Sequence, residues 1–262
     1  MSHQPIEGWQ GWDQYAPFYD WENAQTLGRR DVAFWQQLAR RIGGQILELG
    51  CGTGRVSLPV ARTGVRLIGV DRSALMLERG RRRIQRARLS HRVSLLRGDI
   101  RALPFRRSTR FDLVMAPYGV LQSLVREADL AATLDSVASV TTANGVFGLD
   151  LVPDLPAWAE YRRQVRLRGW RGPARSAHVT LVESVRQDRR RRLTIFDQEY
   201  LERRGVRRER HRFSLTFRTL SVPQMSRRLE RAGFRVTSVL GDYHGGPWDP
   251  RADVWIMLAQ KR

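Results

Sequence analysis

Three carboxylates each close a short apolar run, at the spacing of a nucleoside site. Glu48 stands in ILELGCGTGR (46–55), Asp71 ends VRLIGVD (65–71), and Asp99 sits in GDIRALPF (98–105) behind the run VSLL (93–96). Between the first two come Gly50, Gly52 and Gly54, which open a helical stretch through Val56, Leu58 and Val60. Glycines at a strand-to-helix turn let the backbone approach a ligand, and the helix that follows offers free N–H groups. An acidic residue about 20 positions on, as Asp71 is, reaches a ribose hydroxyl in nucleotide-binding α/β folds. Paired hydroxyl donors suit one carboxylate, so Asp71 is the expected ribose partner.

The glycine spacing separates the possible nucleosides. A dinucleotide site carries G-x-G-x-x-G, with its turn shaped for a pyrophosphate. This chain has G-x-G-x-G with a glutamate two residues ahead. A carboxylate there is unhelpful beside a pyrophosphate and suits a ligand with ammonium and sulfonium groups, such as S-adenosylmethionine (SAM). On ELGCGTG (48–54), GVD (69–71), GDIRALPF and FDLVMAPYGVLQSL (111–124), the chain resembles the class I SAM-dependent methyltransferases. The layout is similar to glycine N-methyltransferases and sugar-amine dimethyltransferases. The resemblance implies SAM as cofactor, S-adenosylhomocysteine (SAH) as product, and a Rossmann-like seven-stranded α/β sheet with its last strand inserted antiparallel.

It also assigns roles. Gly50, Cys51, Gly52 and Gly54 would form the cofactor loop, with Glu48 beside the methionine ammonium. Asp71 and Arg72 would hold the ribose, Asp99 and Ile100 would read the adenine with Leu103 near the ring, and Ala116 would end the fourth strand beside the cofactor. Arg30 resembles the arginine some of these enzymes use for the SAM carboxylate, and its neighbour Arg29 is nearly as good a match. In the family, tyrosines of a segment like YAPFYD, here Tyr15 and Tyr19, lie over the cofactor. The aromatic cluster Trp9, Trp12, Tyr15, Phe18, Tyr19 and Trp21 therefore suggests a lid, whose ring faces attract a sulfonium and exclude water. Ordinary packing of this segment on the sheet is the competing reading.

The elements that must place these residues follow from periodicity. A leading helix is expected over 28–41, strand 46–49, helix 54–63, strand 66–70, helix 74–88 capped by Ser73, then strands 93–96 and 111–116. A helix over 127–140 and a turn at Asn144-Gly145 lead to strand 146–151. Strands alternating with helices of this length indicate a parallel, right-handed sheet. From about 155 to 220 the period falls toward two, which reads as three antiparallel strands inserted as a cover or as a plain sheet extension. A helix over 222–232 capped by Ser221 and two strands, 234–240 and 252–260, complete one domain, residues 1–262. Its aromatic segment 1–27 and its insertion 155–220 are the departures from a plain α/β unit.

Composition limits the partners. The 262 residues carry 46 Lys+Arg against 26 Asp+Glu, a formal charge of +20, and Lys261 is the sole lysine. So lopsided a use of arginine fits a coding bias and a solvated surface, with non-specific polyanion binding that fades as salt rises. The start shows no leader pattern and no apolar run approaches a membrane span, so a cytoplasmic protein with no membrane partner is expected. Cys51, the single cysteine, reads as a small packing residue in the glycine loop. No Cys/His cluster has metal-ligand spacing, and no metal is implied.

Methyl transfer is an in-line displacement that needs alignment above all, and alignment alone can supply about 7–11 kcal/mol. Base candidates are Tyr118, after the fourth strand, and His244 or Tyr243 in GDYHGGPWDP. The sequence thus points to methyl transfer onto an oxygen or nitrogen of a small-molecule acceptor. The alternatives are an RNA methyltransferase using the arginine surface and a non-catalytic SAM-binding protein.

Overall fold

Short strands with apolar residues on both faces can be buried only between two helical layers, and the chain follows that rule for most of its length. The computed structural model describes residues 12–26, 30–151, 160–252 and 254–262. Two helices come first, α1 (Trp12–Gln25) and α2 (Val32–Ile42). Then follow β1 (Gln45–Leu49), α3 (Ser57–Ala61), β2 (Arg66–Asp71), α4 (Ala74–Arg86), β3 (Val93–Arg97), β4 (Phe111–Ala116), α5 (Glu127–Val140) and β5 (Thr141–Leu151). An insertion of four strands, β6 (Tyr161–Arg171), β7 (Ala177–Asp188), β8 (Leu193–Arg204) and β9 (Arg207–Arg218), leads to α6 (Val222–Arg231), β10 (Phe234–Leu240) and β11 (Trp255–Lys261).

The main sheet runs β10-β11-β5-β4-β1-β2-β3. β11 lies antiparallel to both β10 and β5, and the remaining pairs are parallel. Alternation sorts its side chains. Ile46, Leu113 and Met115 pack on the layer that holds α2 and α3, whereas Leu47, Leu49, Val114 and Ala116 pack with α5 and α6. From β1 the chain winds out through β2 to β3, then crosses back to β4 and β5. Strand order therefore reverses between β1 and β4, where the crevice of an open α/β sheet forms.

The second sheet, β6-β7-β8-β9, is wholly antiparallel. One of its faces, with Val179, Leu181, Tyr200, Phe213 and Leu215, buries Tyr15 and Phe18 of α1. Four strands stand where the period suggested three. The extra one, β6, reads YRRQVRLRGWR and is exposed along most of its length, so no apolar alternation marks it. α1 also escaped the periodicity, because Pro17 interrupts an element that is aromatic on several sides. The expected turn at Asn144-Gly145 lies inside β5 as a register shift against β4, with Asn144 at φ 63°. α3 is shorter than expected because Gly54 at φ 73° lies outside the helical region. Ser73 and Ser221 cap α4 and α6 as read, the latter with a full capping box. Trp9, Arg29 and Asp253 lie outside the described residues, and no described helix is long and apolar enough to cross a membrane.

Candidate functional site

The loop after β1 turns through three left-handed glycines, with φ of 61°, 51° and 73° at Gly50, Gly52 and Gly54. Side chains at two neighbouring glycines would collide with packed atoms. A Cβ at Gly50 would come within 2.4 Å of Val120, and one at Gly69 within 2.7 Å of Cys51. Gly52 differs. A Cβ there would meet nothing nearer than 3.9 Å, and the atoms at that distance are Asp71 Oδ2 and the Gly50 carbonyl. The backbone is thus bare where it faces the carboxylate that ends β2.

Asp71 accepts hydrogen bonds from the Gly52 N–H (2.9 Å) and the Ser73 N–H (2.8 Å). Burial pushes its pKa up and these two N–H donors pull it back. The same carboxylate borders a cavity of about 400 Å³ at the carboxyl ends of β1, β2 and β4. Of the residues read from the sequence, Trp12, Tyr19, Gly50, Gly52, Asp71, Arg72, Asp99, Ile100 and Tyr118 line this space. Bare backbone, a carboxylate for paired hydroxyls and apolar Ile100 and Met76 match the adenosine part of SAM, so the residues fit that cofactor.

Other residues are placed elsewhere. Glu48 is buried beneath the loop, accepts from Ser57 Oγ at 2.6 Å, and is raised by burial to about 8. Cys51 packs against Gly69, with its thiol pushed up by burial, and Ala116 is fully buried in the core. Gly54 lies against Gly80 of α4, away from the cavity. Tyr15 turns from the cavity to the insertion, donating to Glu22 beside Tyr200. Arg30 is exposed. His244 is exposed too, with its backbone N–H on Asp242, while Tyr243 donates to Asp150 at 2.9 Å. Asp99 lines the cavity, but Arg101 holds its carboxylate through Nε and Nη2 and Arg72 lies 3.3 Å away, which keeps its pKa low.

Several groups escaped the sequence reading. Arg55, the residue after the glycine loop, is clamped by fully buried Asp31 at 2.6 and 2.7 Å, and its guanidinium lies 5.0 Å from the Tyr118 ring centre. Asp150 stands next to last in β5, much as Asp71 closes β2, and an acid at a strand end is the signal that could have found it. It accepts from the Gly119 N–H at 2.7 Å and from Tyr243, and burial raises it to about 7. Tyr118 and Gly119 both have left-handed backbone, φ 64° and 62°. A non-glycine residue held there is strained, and such residues cluster at functional sites. The Tyr118 hydroxyl is raised above the ordinary tyrosine value, chiefly by burial, so it keeps its proton at neutral pH. Trp12 and Tyr19 from α1 and Phe217 from β9 close the remaining walls. α1 is tied down by Asp13, which accepts from Ser73 Oγ, and by Asp20, which accepts from Thr53 Oγ1 (2.7 Å) and Arg83 (3.0 Å).

A carboxylate cradle at a crevice between parallel strand ends, free of a pyrophosphate turn, defines a nucleoside-binding α/β protein of the methyltransferase kind. Residues 46–145 match the model of a methyltransferase domain. Over 253 residues the chain is 25% identical to the cypemycin N-terminal methyltransferase of a Streptomyces species, covering 93% of this chain and 94% of that one. It is 28% identical over 137 residues to a sterol 24-C-methyltransferase of Aspergillus fumigatus, covering 52% of this chain and about a third (34%) of the relative. Among solved structures, a SAM-dependent methyltransferase from Clostridium acetobutylicum superposes with a TM-score of 0.75 at 15% identity, covering 95% of this chain and 99% of that one. The sugar N-methyltransferase KedS8 from Streptoalloteichus gives 0.72 at 15% identity, covering 91% of each chain. The chain carries a methyltransferase domain in the fold of SAM-dependent methyltransferases, and SAM is its cofactor.

Proposed function

We propose that this methyltransferase acts on an oxygen or nitrogen atom of a small-molecule acceptor, and that residues 1–262 work as one unit in the cytoplasm. The observation that carries the reading is the make-up of the cavity wall. Beyond Gly50 and Asp71 its walls are Tyr19, Tyr118, Val120, Leu124 and Phe217, drawn from three separate parts of the chain. A volume of about 400 Å³ lies in the range of small-molecule sites. Relatives whose names state an acceptor include a sugar N-methyltransferase and an enzyme for the N-terminus of cypemycin.

The roles of the chain's own groups follow. When bound, SAM supplies an activated methyl group on a sulfonium. Asp71 holds the ribose hydroxyls, and Ile100 and Met76 pack on the nucleoside. Asp99, already engaged by Arg101 and Arg72, offers its free oxygen lone pairs to the adenine edge. Glu48 acts by fixing the glycine turn through Ser57, beneath the methionine end. Tyr19, Tyr118 and Phe217 exclude water and align the acceptor. Tyr118 remains protonated, so the acceptor enters as a free amine or an oxyanion, and an amine loses its extra proton to solvent after transfer.

A panel of amines, amino sugars, phenols and peptide N-termini, scored by SAH formation, tests this. Turnover on a small acceptor, lowered in Phe217→Ala while SAH affinity stays within about twofold, is the expected result. Tight SAH binding with no turnover on any member would overturn it in favour of a non-catalytic SAM-binding protein.

A further inference from the structure

The insertion sheet has a second face, turned away from α1. Its strand register aligns two cross-strand rows there. Trp170, His178, Arg203 and Arg208 are successive partners across β6 to β9, and Arg168, Thr180, Leu201 and Arg210 form the neighbouring row. Four of these eight side chains are arginine and none is acidic. A cavity of about 530 Å³ opens over His178, Thr180, Leu201, Arg203, Arg208 and Arg210. Glu202 and Glu209 reach its edge, but Arg171 and Arg204 already hold Glu202 at 2.7 Å, and Arg207 holds Glu209 at 2.6 Å.

Arg168, Arg203 and Arg208 are exposed and make no ion pair among the described residues, whereas Arg210 reaches Glu199 at 3.3 Å. Trp170 stands 51% exposed with its ring edge-to-face on His178. Two adjacent rows of this face thus carry unpaired guanidinium groups beside an open indole, while Glu199, in the next row, is held by Arg163, Arg210 and Arg212.

We infer that this face binds single-stranded nucleic acid, with phosphates on Arg168, Arg203 and Arg208 and a base stacked on Trp170. Guanidinium forks match phosphate oxygens bidentately, and aromatic faces stack bases of any sequence. Three strand spacings, about 14 Å, separate the rows' outer members, room for more than one nucleotide. Self-association through this patch would bring like charges together, which disfavours a second copy as the occupant. The face points away from the methyl-transfer cavity, so the strand is held without being the acceptor, and the inference does not depend on the acceptor proposed above.

Fluorescence anisotropy of a dye-labelled single-stranded RNA 12-mer on the full chain at about 150 mM salt tests the site. Arg203→Gln/Arg208→Gln should weaken binding about tenfold and flatten the log–log salt slope by about 1.4, for two lost phosphate contacts. Arg189→Gln/Arg190→Gln, a charge-matched pair of exposed arginines in the β7–β8 turn, should change affinity less than twofold. Trp170→Ala should remove most of the tryptophan quenching caused by the RNA. SAH affinity should be unchanged in all variants, which also reports that they fold. Equal losses in both arginine pairs, no loss in either, or competition by poly-glutamate as strong as by RNA would overturn the inference.

Discussion

The seven-stranded sheet is covered on both faces, by α5 and α6 on one side and α2 to α4 on the other, while the four-stranded sheet is covered on one face by α1 and left open on the other. The first excludes water around strands that hold the cofactor loop rigid. In the second, polar atoms reach the core. Glu22 accepts from Tyr15, Tyr200 and Gln198 at the α1 contact. A rigid platform and a polar, one-sided cover suit different tasks, positioning the nucleoside and closing over it.

Substitutions can break that contrast. Trp35, fully buried under the larger sheet beside Leu38 and Gly148, should cost about 3–5 kcal/mol as Trp35→Ala, measured by chemical denaturation. Glu48 gives the next effect, read through pH. Burial raises it from 4.5 to about 8, so the folded chain holds this proton more tightly than the unfolded one. Its stabilising share is intact below about pH 4.5 and is lost as pH climbs through about 8. Glu48→Gln should therefore gain on the wild type between pH 5 and pH 9, by on the order of 2–4 kcal/mol. An identical pH profile for both proteins would show that Glu48 is not buried as described. In the cover, Tyr200→Phe removes one donor from Glu22 and should cost about 1–3 kcal/mol. A loss matching that of Trp35→Ala would mean the two sheets are equally tight.

Legibility in the sequence follows the same divide. Strands β1, β2 and β4 and helix α5 were readable because each buries both faces or a full stripe, and β3 because buried Val93 and Leu95 alternate with exposed Ser94. The ribose carboxylate was readable for the same reason, since Asp71 closes such a run. β6 left no mark because an exposed edge strand is defined by its pairing with β7, a long-range event. Arg55 was hidden too, since its partner Asp31 lies ahead of α2, 24 residues away, and only the fold brings them together. Asp150 carried the mark of a strand-ending acid and went unread. Arg30 drew attention by position, yet the fold turns it to solvent and buries Asp31 beside it.

The central claim is that Asp71 and the bare backbone at Gly52 hold an adenosyl group. Calorimetric titration of SAH into the wild-type protein and into Asp71→Ala tests it directly, with NAD as the competing nucleotide. The account predicts SAH binding that weakens by roughly 1–3 kcal/mol in the variant, and no heat from NAD. Undiminished SAH affinity in Asp71→Ala, or uptake of NAD in place of SAH, would contradict it.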